Sequence, residues 1–166
     1  MRSGLLFGIV LSAFVVLDQG VKAWSRGRAD GVEGYVFGAP WPGVFELKLA
    51  YNHGIAFGMF QGGGQWFAPV AVIIAGVAGW HAWRTPYAQK WMILTLGMLA
   101  AGAIGNLIDR LWLGKVTDMF WFRLINFPVF NVADACITVS AILLAIMSLR
   151  QDILARREVM ATDSAE

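Results

Sequence analysis

Apolar positions along the chain gather into four long runs, which are separated by polar segments of very different lengths. A membrane-spanning helix needs about 20 mostly apolar residues, and these runs have roughly that length. The pattern predicts an all-α integral membrane protein that forms a single domain over residues 1–166, with four transmembrane helices. The predicted helices cover residues 4–24, 66–83, 91–113 and 132–149.

The first, third and fourth runs reach spanning length only if they include polar residues at one end. These residues are Asp18 and Lys22 in the first run, Asn106, Asp109 and Arg110 in the third, and Asn131 and Asp134 in the fourth. Polar groups at membrane depth are costly and usually face a cavity or a partner. Because the polar ends are predicted to lie at one depth, we expect them to form one site.

The segments outside the helices carry their own signals. Val44–Tyr51 alternates apolar and polar residues, which indicates a strand, so we expect a small extracytoplasmic sheet within the outer region 25–65. The stretch "GMFQGGGQ" (Gly58–Gln65) is rich in glycine and is predicted to be a mobile loop that closes over a substrate. The tail, residues 150–166, mixes charges and is predicted to extend the fourth helix.

Positive charges in the short segments predict the orientation of the protein in the membrane. The segments before the first helix, between the second and third helices, and after the fourth helix are expected on the cytoplasmic side. Their cations are Arg2, Arg84, Lys90, Arg150, Arg156 and Arg157. Both termini are therefore predicted to be cytoplasmic, and the polar helix ends are predicted to lie at the outer leaflet.

The composition narrows the possible functions. The hydrophobic fraction is 58% and the charged fraction is 14%, whereas a soluble domain has about 25% charged residues. A net charge of +2 without a basic stripe argues against nucleic-acid binding. One cysteine excludes an intramolecular disulfide and a clustered Cys and His zinc site. The chain has no HExxH, GxSxG or phosphate-binding GxxxxGK[ST] motif, so zinc-protease, serine-hydrolase and P-loop chemistry are not indicated.

Four carboxylates are expected at the outer face, and their neighbours divide them into two pairs. Lys22 lies one helical turn from Asp18, and Arg110 adjoins Asp109, so these two carboxylates are interpreted as structural ion pairs. Asp118 and Asp134 have no such close cation, and two desolvated carboxyl groups that come together can share a proton and activate water. The alternative for this second pair is structural hydrogen bonding, with Asp134 capping the fourth helix.

Helical spacing adds two further predictions. Gly102, Asn106 and Asp109 lie at i, i+4 and i+7 and share one face. Gly102 either packs against a neighbouring helix or makes room for a substrate, and the spacing leaves both open. Cys136 points away from Asp134 and is interpreted as a small buried hydrophobe.

Four sequence blocks resemble the signature motifs of one family. "LDQGVK" lies in the first helix, "NHGIAFG" follows the predicted strand, and "GAIGNLIDRLWLGKVTDMF" and "FPVFNVADACI" come later. In this order they resemble the motifs of lipoprotein signal peptidase, or signal peptidase II. The likeness runs from about Asp18 to Ile137. One departure is Met119, where the family usually has Phe.

The resemblance implies an intramembrane aspartyl endopeptidase of the bacterial inner membrane that needs no metal and no cofactor. Such an enzyme would remove the signal peptide from diacylglyceryl-modified prolipoproteins, cutting before the lipidated cysteine. The resemblance assigns catalysis to Asp118 and Asp134. The residues that it assigns to substrate binding or support of this pair are Asp18, Lys22, Asn52, Gly54, Gly102, Asn106, Arg110 and Asn131. The protein is expected to be a monomer, and its expected partners are the lipid-modified precursor and membrane lipid.

Two other classes of protein remain as alternatives. A small transporter or proton-conducting protein also carries intramembrane charges, but it needs polar groups through the full depth of the membrane, and here the middle of each run is apolar. A scaffold for membrane partners would require neither Asp118 nor Asp134 for its function.

Overall fold

The computed structural model describes residues 2–54 and 68–163, which form four helices and a small three-stranded sheet. The helices are α1 (Arg2–Arg28), α2 (Ala68–Arg84), α3 (Lys90–Leu113) and α4 (Val132–Asp163). The strands are β1 (Val36–Trp41), β2 (Phe45–Asn52) and β3 (Val116–Phe122). Single 3₁₀ turns precede α3 at Tyr87–Gln89 and follow β3 at Arg123–Ile125.

Three segments among the described residues are long and apolar enough to cross a membrane: Arg2–Arg28, Tyr87–Leu113 and Val132–Arg157. In α2, 17 residues are described, and they span about 25 Å at 1.5 Å per residue, somewhat less than a bilayer core of about 30 Å. The predicted second helix also included residues 66 and 67, which lie outside the described ranges. The prediction of a mostly helical membrane fold is confirmed, and α2 as a fourth span stays a prediction.

Helix α3 forms the centre of the helical bundle, because it contacts α1, α2 and α4. Small residues allow helix backbones to approach closely. A Cβ added to Gly102 would lie 2.5 Å from the carbonyl oxygen of Ala133 in α4. The structure therefore favours the packing interpretation of Gly102, since α4 occupies the space beside it.

The sheet is antiparallel, with β2 in the middle. The strand predicted over Val44–Tyr51 is confirmed as β2. Across the second pair of strands, Ala50 lies opposite Asp118 and Leu47 lies opposite Phe120. This pairing fixes Asp118 on a hydrogen-bonded strand at the end of the bundle, rather than on an unsupported loop.

The segment around Asp118 was not predicted to be a strand. It forms β3, whose first four residues, Val116 to Met119, are all buried. A strand that is covered on both faces does not alternate apolar and polar residues, so it gives no period-two signal. The chain reaches β3 from α3 through Gly114, which has a positive φ of 71° and whose N–H bonds to the carbonyl of Arg110.

Aromatic contacts and backbone bonds tie β3 to the chain that enters α4. Phe120 and Phe130 exchange backbone hydrogen bonds of 2.9 and 3.0 Å. Their rings also pack against each other, with centroids 5.6 Å apart. Helix α4 continues to Asp163, which confirms the predicted helical extension over the described part of the tail.

Candidate active site

Asp118 and Asp134 come from different elements and line the same cavity. Asp118 lies on β3, and Asp134 lies in the first turn of α4. The cavity has a volume of about 750 Å³. The structure thus brings together the two carboxyl groups that sequence reasoning had paired.

Asn131 joins the two carboxyl groups, one through its side chain and the other through its backbone N–H. Its Nδ2 donates to Oδ1 of Asp118 at 2.6 Å, and its backbone N–H lies 3.3 Å from Oδ2 of Asp134. In return, Oδ1 of Asn131 accepts the backbone N–H of Asp134 at 2.9 Å. This reciprocal arrangement is a capping box, with Asn131 as the cap and Asp134 three residues later. Capping and pairing with Asp118 are therefore compatible roles for Asp134.

Asn106 on α3 forms hydrogen bonds with both Asp134 and Asn131. Its Nδ2 donates to Oδ1 of Asp134 at 2.7 Å, and its Oδ1 accepts Nδ2 of Asn131 at 3.0 Å. The same Oδ1 accepts the ammonium of Lys22 at 2.9 Å. Because an ammonium can only donate, this contact fixes which end of the amide faces Asp134.

Lys22 is fully buried and holds two carboxylates that face away from the cavity. Its Nζ lies 2.9 Å from Asp18 and 3.7 Å from Asp109. Asp18 also accepts the N–H of Ala133 in the first turn of α4, and Asp109 accepts the N–H of Thr117 on β3. The predicted pairing of Asp18 with Lys22 is confirmed, and the cluster ties α1, α3, α4 and β3 together.

The predicted pairing of Asp109 with Arg110 is wrong. Neighbours in sequence point in different directions on a helix, so Asp109 faces Lys22, whereas Arg110 lines the cavity. The guanidinium of Arg110 donates to the carbonyl of Gly54 at 3.2 Å and to that of Asn106 at 3.4 Å. Its Nε is buried and has no hydrogen-bond partner among the described residues.

Asn52 and Gly54 connect the sheet to this side of the cavity. Asn52 lines the cavity at the end of β2, and its Oδ1 accepts the N–H of Gly54 at 2.9 Å. The carbonyl of Gly54 is held in turn by Arg110. The loop predicted to close over the substrate, Gly58–Gln65, lies outside the described residues.

Gly105 and Thr117 also contact residues of the site, although neither was predicted from the sequence. Gly105 offers its carbonyl to Lys22 at 3.3 Å and to Gln19 at 3.0 Å. Thr117 lies one residue before Asp118, and its hydroxyl accepts a hydrogen bond from Arg26 at 2.8 Å. Both act mainly through contacts that a single sequence does not reveal, although Gly105 directly precedes Asn106 within the recognised block.

We expect Gly105→Ala to destabilise the protein and weaken its activity. A Cβ at this position would lie 2.5 Å from Oδ2 of Asp18, the oxygen that pairs with Lys22. Displacing Asp18 would cost about 1–3 kcal/mol of unfolding free energy, measurable by thermal unfolding in detergent. Gly76→Ala is the matched control, because it has open space around it in α2. Equal stability of the two variants would contradict this packing argument.

Burial, and after it the nearby charge of Asp134, raises the pKa of Asp118 to about 8. The hydrogen bond from Asn131 opposes this rise. A carboxyl group with such a pKa holds its proton at neutral pH. One member of the pair can therefore donate a proton while the other accepts one.

The remaining walls of the cavity are mostly apolar. They come from α2, α4 and the segment before α4, and include Val70, Ile74, Phe127, Val129 and Val139. No group of His, Cys, Asp and Glu that could hold a metal ion occurs in the described ranges. Cys136 is buried, as expected. The arrangement suits proton transfer to and from a ligand with apolar groups.

Fold and site together define a helical membrane protein in which two carboxyl groups face an apolar cavity. A family model described as signal peptidase (SPase) II matches residues 10–150. The chain belongs to the signal peptidase II family, and it is therefore a protease and an integral protein of a bacterial membrane.

Individual relatives agree with this assignment. A lipoprotein signal peptidase of Gloeothece citriformis is 42% identical, over 89% of this chain and 91% of the relative. Another, from Gloeobacter violaceus, is 38% identical over 83% of this chain and 78% of the relative. A solved bacterial membrane enzyme superposes with a TM-score of 0.79, at 26% identity and 88% coverage of both chains.

Proposed function

We propose that this protein is an intramembrane aspartyl endopeptidase that removes the signal peptide from diacylglyceryl-modified prolipoproteins. It cuts the peptide bond before the lipidated cysteine. The observation that carries the proposal is the placement of Asp118 and Asp134 in one cavity, joined by Asn131. The relatives named above are lipoprotein signal peptidases, which supports the choice of substrate.

The chemistry requires one ionised and one protonated carboxyl group. The ionised group takes a proton from water, and the resulting hydroxyl adds to the scissile carbonyl carbon while the protonated group gives its proton to the carbonyl oxygen. The tetrahedral intermediate then breaks the C–N bond. The first group returns its proton to the leaving nitrogen, and the second regains one from a hydroxyl of the intermediate, so both groups end as they began.

The cavity walls suit a substrate that arrives from the membrane. Apolar residues of α2 and α4 face the signal peptide in this proposal, and the diacylglyceryl chains remain in lipid. Asn52 and Arg110 lie on the polar side of the cavity, where they hold the peptide backbone near the scissile bond. The enzyme acts as a single chain.

The proposed orientation has both termini in the cytoplasm and the carboxyl pair at the outer leaflet. Tryptophan is enriched at both membrane–water interfaces, and exposed tryptophans lie at both ends of the helical bundle. Those at one end are Trp80, Trp83 and Trp91, and those at the other are Trp24 and Trp112. The cations Arg84 and Lys90 flank the first of these ends, as expected for a cytoplasmic face.

The test is cleavage of a purified precursor by the purified protein, with the products identified by mass spectrometry. A diacylglyceryl-modified precursor should yield a product that begins at the lipidated cysteine. The matched control is the same precursor without the lipid, which should be cut much more slowly. An uncut lipidated precursor, or a cut at another bond, would overturn the proposal.

The pH profile provides a further prediction. The pair needs one proton, and the pKa of Asp118 is raised to about 8. The value of kcat/KM should therefore be maintained at neutral pH and fall as the pH rises through about 8, where the pair loses its proton. Steady-state cleavage across this range checks the prediction, and an undiminished rate well above pH 8 would contradict it.

A further inference from the structure

We infer that the two carboxyl groups have fixed roles: Asp134 is the ionised base and Asp118, protonated on Oδ2, is the acid. This inference rests on the proposed function and deepens it, because the family likeness identifies the pair without saying which member is the base and which is the acid. Three geometric observations carry it: the direction of the amide donors, the number of donors on each carboxyl group, and the secondary structure that holds each one.

The two asparagine side chains have defined directions, because each faces a group that can only donate. Oδ1 of Asn106 faces the ammonium of Lys22, and Oδ1 of Asn131 faces the backbone N–H of Asp134. Neither amide can flip without placing a donor against a donor. Their NH₂ groups must therefore point toward the carboxyl groups of the pair.

These donors reach the two carboxyl groups unequally. Asp134 receives one N–H on each oxygen, from Asn106 at 2.7 Å and from the backbone of Asn131 at 3.3 Å. Asp118 receives Nδ2 of Asn131 on Oδ1 only, and no hydrogen bond from the described residues reaches its Oδ2. Donors favour the charged carboxylate, so both oxygens of Asp134 act as acceptors, and Oδ2 of Asp118 remains available for a proton.

The elements that carry the two residues act in the same direction. Asp134 lies at the amino end of the long helix α4, where the helix dipole stabilises a negative charge. Asp118 lies on a strand, which has little net dipole. The helix therefore adds to the preference for a charge on Asp134.

Other charges around the pair do not reverse this preference. Lys22 on α1 is occupied by Asp18 and Asp109, and Arg110 on α3 binds two carbonyl groups. Neither cation forms an ion pair with Asp118 among the described residues. Among the charges that act on Asp118, that of Asp134 raises its pKa the most, which favours a proton on Asp118.

Infrared difference spectroscopy during a pH titration tests the assignment, since a protonated carboxyl group has a C=O band that shifts in D₂O. The wild-type protein should lose such a band as the pH is raised from about 6 to about 9. Asp118→Asn should lack the band, and Asp134→Asn should keep it, with a midpoint at lower pH because the neighbouring charge is gone. Asp152→Asn, on the exposed end of α4, is the control for removal of a carboxyl group.

Thermal unfolding gives a second, independent readout. Asparagine at 118 can accept from Asn131 and mimic the protonated acid, so Tm should stay within about 2 °C of the wild type. Asparagine at 134 must turn its NH₂ toward one of two donors, which should lower Tm by about 2–8 °C.

A band that survives in Asp118→Asn and disappears in Asp134→Asn would reverse the roles. Loss of the band in both variants down to about pH 4, or its absence from the wild type, would also overturn the inference. The proposed function fails by different results, namely an uncut lipidated precursor with the wild-type protein or unchanged cleavage by either variant.

Discussion

Replacing Asp118 or Asp134 by asparagine should abolish cleavage of the lipidated precursor, while the protein still inserts into the membrane. Asparagine keeps the size of the side chain but can neither accept a proton from water, as the base must, nor give one to the carbonyl oxygen, as the acid must. We expect kcat/KM to fall by at least about 10³-fold in each variant. Because the two groups act as one unit, the double variant should be little worse than either single variant.

The measurement is precursor cleavage by variants that are purified in parallel and compared with the wild type for folding. Cys136→Ala is the matched control, because it alters a buried residue of the same helix as Asp134. This variant should remain active. A complete loss of its cleavage activity with intact folding would mean that the thiol takes part in the chemistry. Normal processing by either Asp variant would show that the carboxyl pair is not the catalytic centre.

The helical part of the fold is predictable from the sequence because a membrane span leaves a long apolar run. The predicted third helix, 91–113, lies within one residue of α3, Lys90–Leu113. The predicted first helix ended at 24, whereas α1 continues to Arg28. Charged residues beyond a span do not end a helix, so hydropathy marks the apolar part of a helix rather than its end.

The candidate site was only partly predictable. Spacing identified Asp18 with Lys22, because helical neighbours at i and i+4 meet whatever the rest of the fold does. Spacing failed for Asp109, since its cation comes from another helix. The link between Asp118 and Asp134 through Asn131 needs β3 beside the start of α4. Before the structure was known, the lack of a close cation set these two carboxyl groups apart but left catalysis and structural hydrogen bonding both open, and only the family motifs assigned the pair to catalysis.

Lys22 is the residue outside the carboxyl pair whose replacement should have the largest effect on stability. It is fully buried, and it stands between Asp18 and Asp109, which are almost as deeply buried. Lys22→Met would leave two carboxylates without their cation in a region that water does not reach. Breaking a buried ion pair in this way costs about 3–5 kcal/mol, so thermal unfolding in detergent should show a large decrease in Tm.

The same change should impair cleavage beyond its effect on stability. Without the ammonium, Oδ1 of Asn106 loses the donor that fixes the direction of its amide, so Nδ2 is less firmly held against Asp134. Under conditions where the variant is still folded, kcat should therefore fall while KM changes little, because Lys22 does not line the cavity.

Two comparisons separate the loss of this ion pair from a general effect of removing a lysine. Lys90→Met, at an exposed position, should change the unfolding free energy by no more than about 0.5 kcal/mol. Adding Asp18→Asn to Lys22→Met removes one of the stranded charges and should recover part of the lost stability. If Lys22→Met were as stable as Lys90→Met, the buried cluster would not hold α1, α3 and α4 together, and the directional support of Asn106 would have to come from another residue.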